Sequence, residues 1–250
     1  MNFLHAILLG LVQGITEYLP VSANGHVIIL GNLLGEPADL IKSFGVALQA
    51  APALAVLALY WRRFENIGKI WKLYALGVLP VLITGFLFKK YFYGLMLDPW
   101  PSVLGLAVGG LGILLAEARH QEGKAADFDG ITALQALGIG LFQCLALWPG
   151  ISRSGATIIG GLLLGLNRKA AAEFSFLIGV PVFLAAAALE FHKSEVLKAN
   201  LPAFGCAFAA SLLCAVLTVS LFMKWLGRIS FKPFGWYRLA LSPLLWALFR

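Results

Sequence analysis

Charge is scarce in this chain: 12% of its 250 residues are Asp, Glu, Lys or Arg, whereas 60% are hydrophobic. A soluble domain is roughly a quarter charged. A soluble fold of this size cannot hide so much apolar surface, and lipid accepts it directly. Cysteine is nearly missing too. Cys144, Cys206 and Cys214 each lie inside an apolar run and form no CxxC pair, which argues against a disulfide framework or a zinc site and leaves a small packing role. The N-terminus lacks the basic start of a signal peptide. Its apolar run is soon interrupted by Gln13, Thr16, Glu17 and Pro20, so it is expected to belong to the mature fold.

What charge there is carries a net of +7. The basic residues sit at the ends of apolar runs, as in Arg62, Arg63, Lys69 and Lys72, or Lys224, Arg228 and Lys232. That is how membrane proteins anchor loops, and no nucleic-acid partner is expected. Trp61, Trp71, Trp100, Trp225 and Trp236 read as interfacial belt residues.

The apolar material divides into short helices near 3–19 and 24–35, then long segments near 39–61, 70–92 and 100–118. A polar loop from Glu117 to Gly130 follows. The pattern then recurs, with short helices near 131–148 and 154–166 and long segments near 169–191, 201–224 and 233–249. A shift of 130 residues aligns Gly10, Leu11 and Gln13 with Gly140, Leu141 and Gln143, without a gap. In the same register Ser22 and Gly25 meet Ser152 and Gly155. Ile28, Ile29 and Gly31 meet Ile158, Ile159 and Gly161, and Leu33, Leu34 and Gly35 meet Leu163, Leu164 and Gly165.

The short helices are interrupted by PVSANG (20–25) and PGISRSG (149–155). Neither is long enough to cross comfortably, so each pair reads as a re-entrant hairpin. Irregular backbone at membrane depth is tolerated only where protein or water satisfies it. Three crossings per repeat is an odd number, which inverts the second repeat and places a site near the midplane, where the breaks meet. The expectation is an all-α, polytopic membrane protein of about six transmembrane helices plus two re-entrant helix hairpins in an inverted repeat. It is read as a single integral membrane domain over 1–250, with repeat one about 1–125 and repeat two about 131–250. With the N-terminus outside, Arg62, Arg63, Lys69, Lys72, Arg119, Lys124, Arg168, Lys169, Lys224, Arg228 and Lys232 face the cytoplasm. Lys42, Lys89, Lys90, Lys193, Lys198 and Arg250 fall outside, an asymmetry that favours this orientation.

The candidate chemistry lies at the breaks. Gln13 and Glu17 are four residues apart, on one helix face. A carboxylate at membrane depth is expensive and normally faces a polar interior. Beyond it, Ser22 or Asn24 can cap the next helix, and His26 in its first turn offers an acid/base group or a metal ligand. In PGISRSGAT, Ser152, Arg153, Ser154, Gly155 and Thr157 sit between apolar segments. A helix N-terminus and a planar guanidinium there suit a phosphate. An ion pair between Arg153 and Glu17 is the structural alternative, compatible with a ligand bound alongside. Glu173 with Arg168 or Lys169 reads as a helix-end pair, and Arg238 as interfacial or a structural partner. Gln49 and Pro52 break the third helix and are expected to face the site.

QGITE (13–17), PVSANGH (20–26) and PGISRSGAT (149–157) resemble the undecaprenyl-diphosphate phosphatase family, also called bacitracin-resistance protein. The resemblance extends over essentially the whole chain, including AEFSF (172–176) and RISFKPFGWYR (228–238). It implies a bacterial inner-membrane enzyme, with its site open to the periplasmic side, that removes the terminal phosphate of undecaprenyl diphosphate and recycles the carrier lipid for cell-wall synthesis. By the same resemblance Glu17 and Gln13 would organise a divalent cation (Mg2+ or Ca2+) or the attacking group. Glu17, Ser22, His26 and Arg153 would be catalytic. Gln13, Asn24, Ser152, Ser154, Gly155 and Thr157 would hold the diphosphate. The partners would be the polyprenyl diphosphate lipid, membrane lipids and, in a homodimer, a second copy. One position departs: many members read PVSSxGH, and the second serine is a proposed nucleophile, but here it is Ala23. Alanine cannot attack phosphorus, so Ser22, His26 or a water must. The competing readings are a polyprenyl-phosphate flippase, since inverted repeats around an anion site also describe transporters, and a catalytically weakened lipid-binding relative.

Overall fold

The computed structural model describes the chain apart from residues 66, 96–98, 121–125, 227 and 249–250. Lys124 and Arg250, used above for orientation, and part of the polar loop lie outside the described residues.

Among the described residues the protein is helical, with one isolated bridge between Ala126 and Leu166. The first repeat comprises α1 (Phe3–Thr16), α2 (Ala23–Leu33), α3 (Ala38–Leu48), α4 (Ala50–Leu59), α5 (Trp61–Glu65), α6 (Ile67–Leu87), α7 (Lys89–Leu95) and α8 (Pro99–Arg119). The second comprises α9 (Ala133–Leu145), α10 (Arg153–Leu163), α11 (Arg168–Lys193), α12 (Glu195–Ala199), α13 (Leu201–Trp225) and α14 (Lys232–Leu248). Among the described residues four helices are long and apolar enough to cross a membrane: the α3–α4 unit, α8, α11 and α13. Of the other two segments expected to cross, α6 carries a shorter apolar stretch, Trp71–Leu87, and α14 has 17 residues. At Gln49 the third segment breaks, and Pro52 falls in the first turn of α4, where a missing N–H costs least.

Local signals set the ends of the hairpin helices. Asn2 caps α1 by accepting from His5 N–H at 2.8 Å. Its counterpart Thr132 forms a capping box with Gln135 on α9. Such caps satisfy the donors a helix start leaves free.

The repeats exchange partners. α1 packs chiefly on α13, and α9 packs chiefly on α6, the element that matches α13 in the 130-residue register. In lipid there is little hydrophobic drive between helices, so small residues that let backbones approach carry the packing. Gly14 lies against Ser211 and Cys214 of α13, and Gly140 against Leu76 and Gly77 of α6.

α11 fixes how the hairpins sit. It has 26 residues and at a 1.5 Å rise is about 39 Å long. The mouth of the first hairpin, closed by His5 Nδ1 and Glu36 Oε1 at 2.6 Å, leads into α3. There Ser43 donates to Glu190 Oε1 at 2.7 Å, near the C-terminal end of α11. The mouth of the second, closed by Gln135 Nε2 on Leu164 O at 2.9 Å, leads into the N-terminal end of α11. The hairpins therefore open toward opposite ends of one spanning helix, and their breaks meet beside its middle.

One expected ion pair is placed differently. Glu173 pairs with Arg63 of α5 at 2.9 Å rather than with Arg168 or Lys169. Arg168 instead grips Glu117 of α8 in a bidentate pair at 2.9 and 2.8 Å. Helix ends brought together by the fold outcompete the sequence-local partners.

Candidate active site

Both turns end at a strained serine, the residue before the second helix. Ser22 has φ 74° and Ser152 φ 73°, a region that costs a non-glycine residue about 1–3 kcal/mol. Ser152 accepts from Gly155 N–H at 3.1 Å and so caps α10. Ser22 stands at the same position of α2 but makes no capping bond. Asn24 does not cap either, because its Oδ1 accepts from Gln49 Nε2 at 3.3 Å. The cap expected on α2 from Ser22 or Asn24 is thus not made, whereas Ser152 supplies one on α10, and the buried Ser22 hydroxyl has no hydrogen-bond partner among the described residues.

The two breaks are stitched together. Ser154 Oγ reaches from the second to Leu19 O at 3.0 Å in the first. Arg238 of α14 is fully buried. Its guanidinium donates to Pro20 O at 3.3 Å and Gly150 O at 2.8 Å, positions related by the 130-residue register. It also donates to Gly105 O at 3.0 Å and Leu106 O at 3.3 Å of α8. Arg238 is therefore a structural clamp on both turns, not an interfacial residue. A Cβ on Gly155 would lie 2.9 Å from its Nη1, so glycine is required there. Of the two readings the sequence offered, the structural partner holds; which groups it grips was not legible. The available signal was an arginine inside an apolar helix, which demands internal acceptors.

Glu17 closes the C-terminal end of α1 and is buried, with Gln13 Nε2 donating to its Oε2. Gln13 Oε1 is left buried and unpartnered. Arg153 opens α10. Its Nη1 donates to Ser175 O at 2.6 Å, and its Cζ lies 4.4 Å from the Phe183 ring centroid and 5.5 Å from that of Tyr18. Gly179 makes room: a Cβ there would stand 2.5 Å from Arg153 Cζ. Arg153 Nε and Nη2 are buried without partners, as is the Tyr18 hydroxyl. Arg153 stands over the ring of Tyr18, the residue next to Glu17, but Arg153 and Glu17 form no direct ion pair among the described residues. The alternative of a structural Glu17–Arg153 bridge is therefore not what the protein builds.

The remaining candidates divide by engagement. Ser154 is fully buried, and its hydroxyl holds the first break. Thr157, also fully buried, is bonded to Ser175 Oγ at 2.6 Å and Arg153 O at 2.9 Å. Both shape the site from within the protein. Gln49 Nε2 donates to Asn24 Oδ1, and Pro52 is buried. His26 is half-buried at the start of α2, with Nδ1 2.9 Å from Ser22 O and Nε2 2.6 Å from the Tyr237 hydroxyl.

The site uses one copy of each element. In the 130-residue register Glu17 corresponds to Leu147, His26 to Ala156 and Arg153 to Ala23. The first repeat contributes the carboxylate and imidazole, and the second contributes the guanidinium. These features define the class: a helical, multi-pass membrane protein with buried polar side chains where two interrupted hairpins meet.

Relatives agree. The family described as bacitracin resistance protein BacA matches residues 6–244. The undecaprenyl-diphosphatase of Solidesulfovibrio magneticus is 42% identical over 253 residues, spanning 96% of this chain and 95% of that protein. Undecaprenyl-diphosphatases of two Nitratidesulfovibrio vulgaris strains, DP4 and Hildenborough, are 42% identical over 258 residues, 98% of this chain and 97% of theirs. The chain belongs to the bacitracin resistance protein BacA family.

Proposed function

We propose that this protein is an undecaprenyl-diphosphatase, hydrolysing the terminal phosphate of undecaprenyl diphosphate to give undecaprenyl phosphate and inorganic phosphate. The observation that carries the reading is Arg153, whose Nε and Nη2 are buried and unpartnered at a helix start. Buried donors are normally satisfied, and two neighbouring guanidinium donors fit two phosphate oxygens. The ring of Phe183 and the Ser175 carbonyl hold the fork in place before substrate arrives, so it can meet charge as it develops.

Glu17 and Gln13 Oε1 are two hard oxygen donors. A divalent cation held through one carboxylate, with substrate oxygens and water completing its shell, fits that set. Bound there, it would neutralise charge on the phosphates. His26 Nε2 takes the proton of the attacking water as that water's oxygen bonds to the terminal phosphorus. The bond from phosphorus to the bridging oxygen then breaks, and Arg153 holds the anionic product. Ala23 offers no hydroxyl, and Ser22 Oγ is bonded to no base among the described residues, His26 being engaged with the Ser22 carbonyl instead, so neither is assigned the attack.

The prenyl chain stays in lipid against the outward-facing apolar residues. The excess of basic residues on loops opposite the N-terminus supports an inner-membrane orientation with the N-terminus and the site opening outside. Phosphate release from undecaprenyl diphosphate by the purified protein in detergent tests the proposal. Binding of the lipid with no release would overturn it in favour of transport or a binding role.

A further inference from the structure

We propose that Tyr237 is a positioning residue for His26, holding it in a single tautomer with its lone pair at Nε2.

A carbonyl oxygen can only accept, so the 2.9 Å contact from His26 Nδ1 to Ser22 O places a proton on Nδ1. In the neutral ring Nε2 then carries the lone pair, and the Tyr237 hydroxyl donates to it at 2.6 Å. The two rings are nearly parallel, with centroids 5.7 Å apart and planes inclined by 13°. One partner thus fixes which nitrogen is basic, and the other fixes where its lone pair points.

The backbone that carries Tyr237 is held, because the next residue along α14 is Arg238, clamped on four carbonyls of the two breaks and α8. The repeat supplies an independent observation. Tyr237 corresponds to Ala107 in the 130-residue register, just as His26 corresponds to Ala156. Both members of the pair are replaced by alanine at the pseudo-symmetric location, so the pair is confined to the half of the molecule where the imidazole sits. Having set the tautomer and the ring's orientation, the hydroxyl yields Nε2 as the attacking water takes its place. The catalytic part of this inference rests on the phosphatase reading, whereas the tautomer does not.

The test is 15N NMR of histidine-labelled protein in detergent, paired with phosphate-release kinetics, comparing the native chain with Tyr237→Phe. The His26→Gln spectrum identifies the resonance. The native protein should show His26 protonated at Nδ1 with a hydrogen-bonded Nε2. Tyr237→Phe, which keeps the ring, should shift the Nε2 resonance and lower kcat about tenfold or more with KM within about twofold, since a general base misheld loses part of its 10²–10⁴-fold contribution. An unchanged Nε2 resonance would overturn the pairing. A shifted resonance with unchanged kcat would overturn the positioning role. Absence of phosphate release from the native protein would sink the phosphatase reading alone, and the spectra would still decide the tautomer. If Tyr237→Phe does not fold, Tyr237→His, which retains a ring and a donor, should restore folding and part of kcat. A folded Tyr237→His with native kcat and an unshifted Nε2 would count against the proposal.

Discussion

Ser22 and Ser152 stand 130 residues apart and share a positive φ, 74° and 73°, each immediately before the second helix of its hairpin. Their ψ angles differ, 80° against 122°, and their side chains have diverged with them. Ser152 caps its helix, whereas the Ser22 hydroxyl makes no capping bond. The pair shows one turn position, strained in both copies, put to different uses.

That difference bears on the nucleophile. A serine attacks phosphorus only when a base takes its proton, and His26 faces the Ser22 carbonyl rather than its hydroxyl. Ser22→Ala should therefore retain phosphate release within about tenfold of native. A loss of three orders of magnitude would assign the attack to Ser22.

Arg153→Ala should lower kcat by about 10²–10³, the usual cost of losing one preorganised donor to a developing oxyanion. Elution and thermal stability in detergent should stay close to native, because Arg153 makes one hydrogen bond to the protein. Arg153→Lys keeps charge but loses the planar fork and should recover only part of the rate. Release at the native rate by Arg153→Ala would remove the phosphate site from this residue.

Chelation should stop turnover, and added Mg2+ or Ca2+ should restore it, with Glu17→Gln inactive at any cation concentration. Gln13→Ala should raise the cation concentration needed, since it removes one of two oxygens and the donor to Glu17. Full activity in excess chelator would rule out a cation at this pair.

Arg238→Met should be the most destabilising of these changes. It leaves the Pro20, Gly150, Gly105 and Leu106 carbonyls short of a donor, and orphaned buried polar groups cost about 1–3 kcal/mol each. The expected outcome is a large fall in melting temperature together with lost activity. A melting temperature unchanged by Arg238→Met would mean the clamp is dispensable.

Much of the fold is legible in the residues themselves. Apolar runs give the helices, PVSANG and PGISRSG give the breaks, and the Gln, Ser and Ile-Ile matches give the duplication, because each depends on local chemistry and register. The boundaries fall within a few residues of those read from the sequence, as with α11 at Arg168–Lys193 against 169–191. Glu17, His26 and Arg153 were also visible, since polar groups in apolar surroundings are costly enough to need a reason.

Contacts between distant segments were not legible. No spacing announces that Glu173 meets Arg63, that Ser154 hangs on Leu19 O, or that Tyr237 lies against His26. The sequence by itself determined where helices form and break and which side chains are too polar to face lipid. Only the tertiary structure decided which of those side chains meet, because exchanging helix partners between repeats brings together groups more than a hundred residues apart. It left Arg153 with buried, unanswered donors, while it gave Arg238, equally charged and also within an apolar helix, four carbonyls to hold.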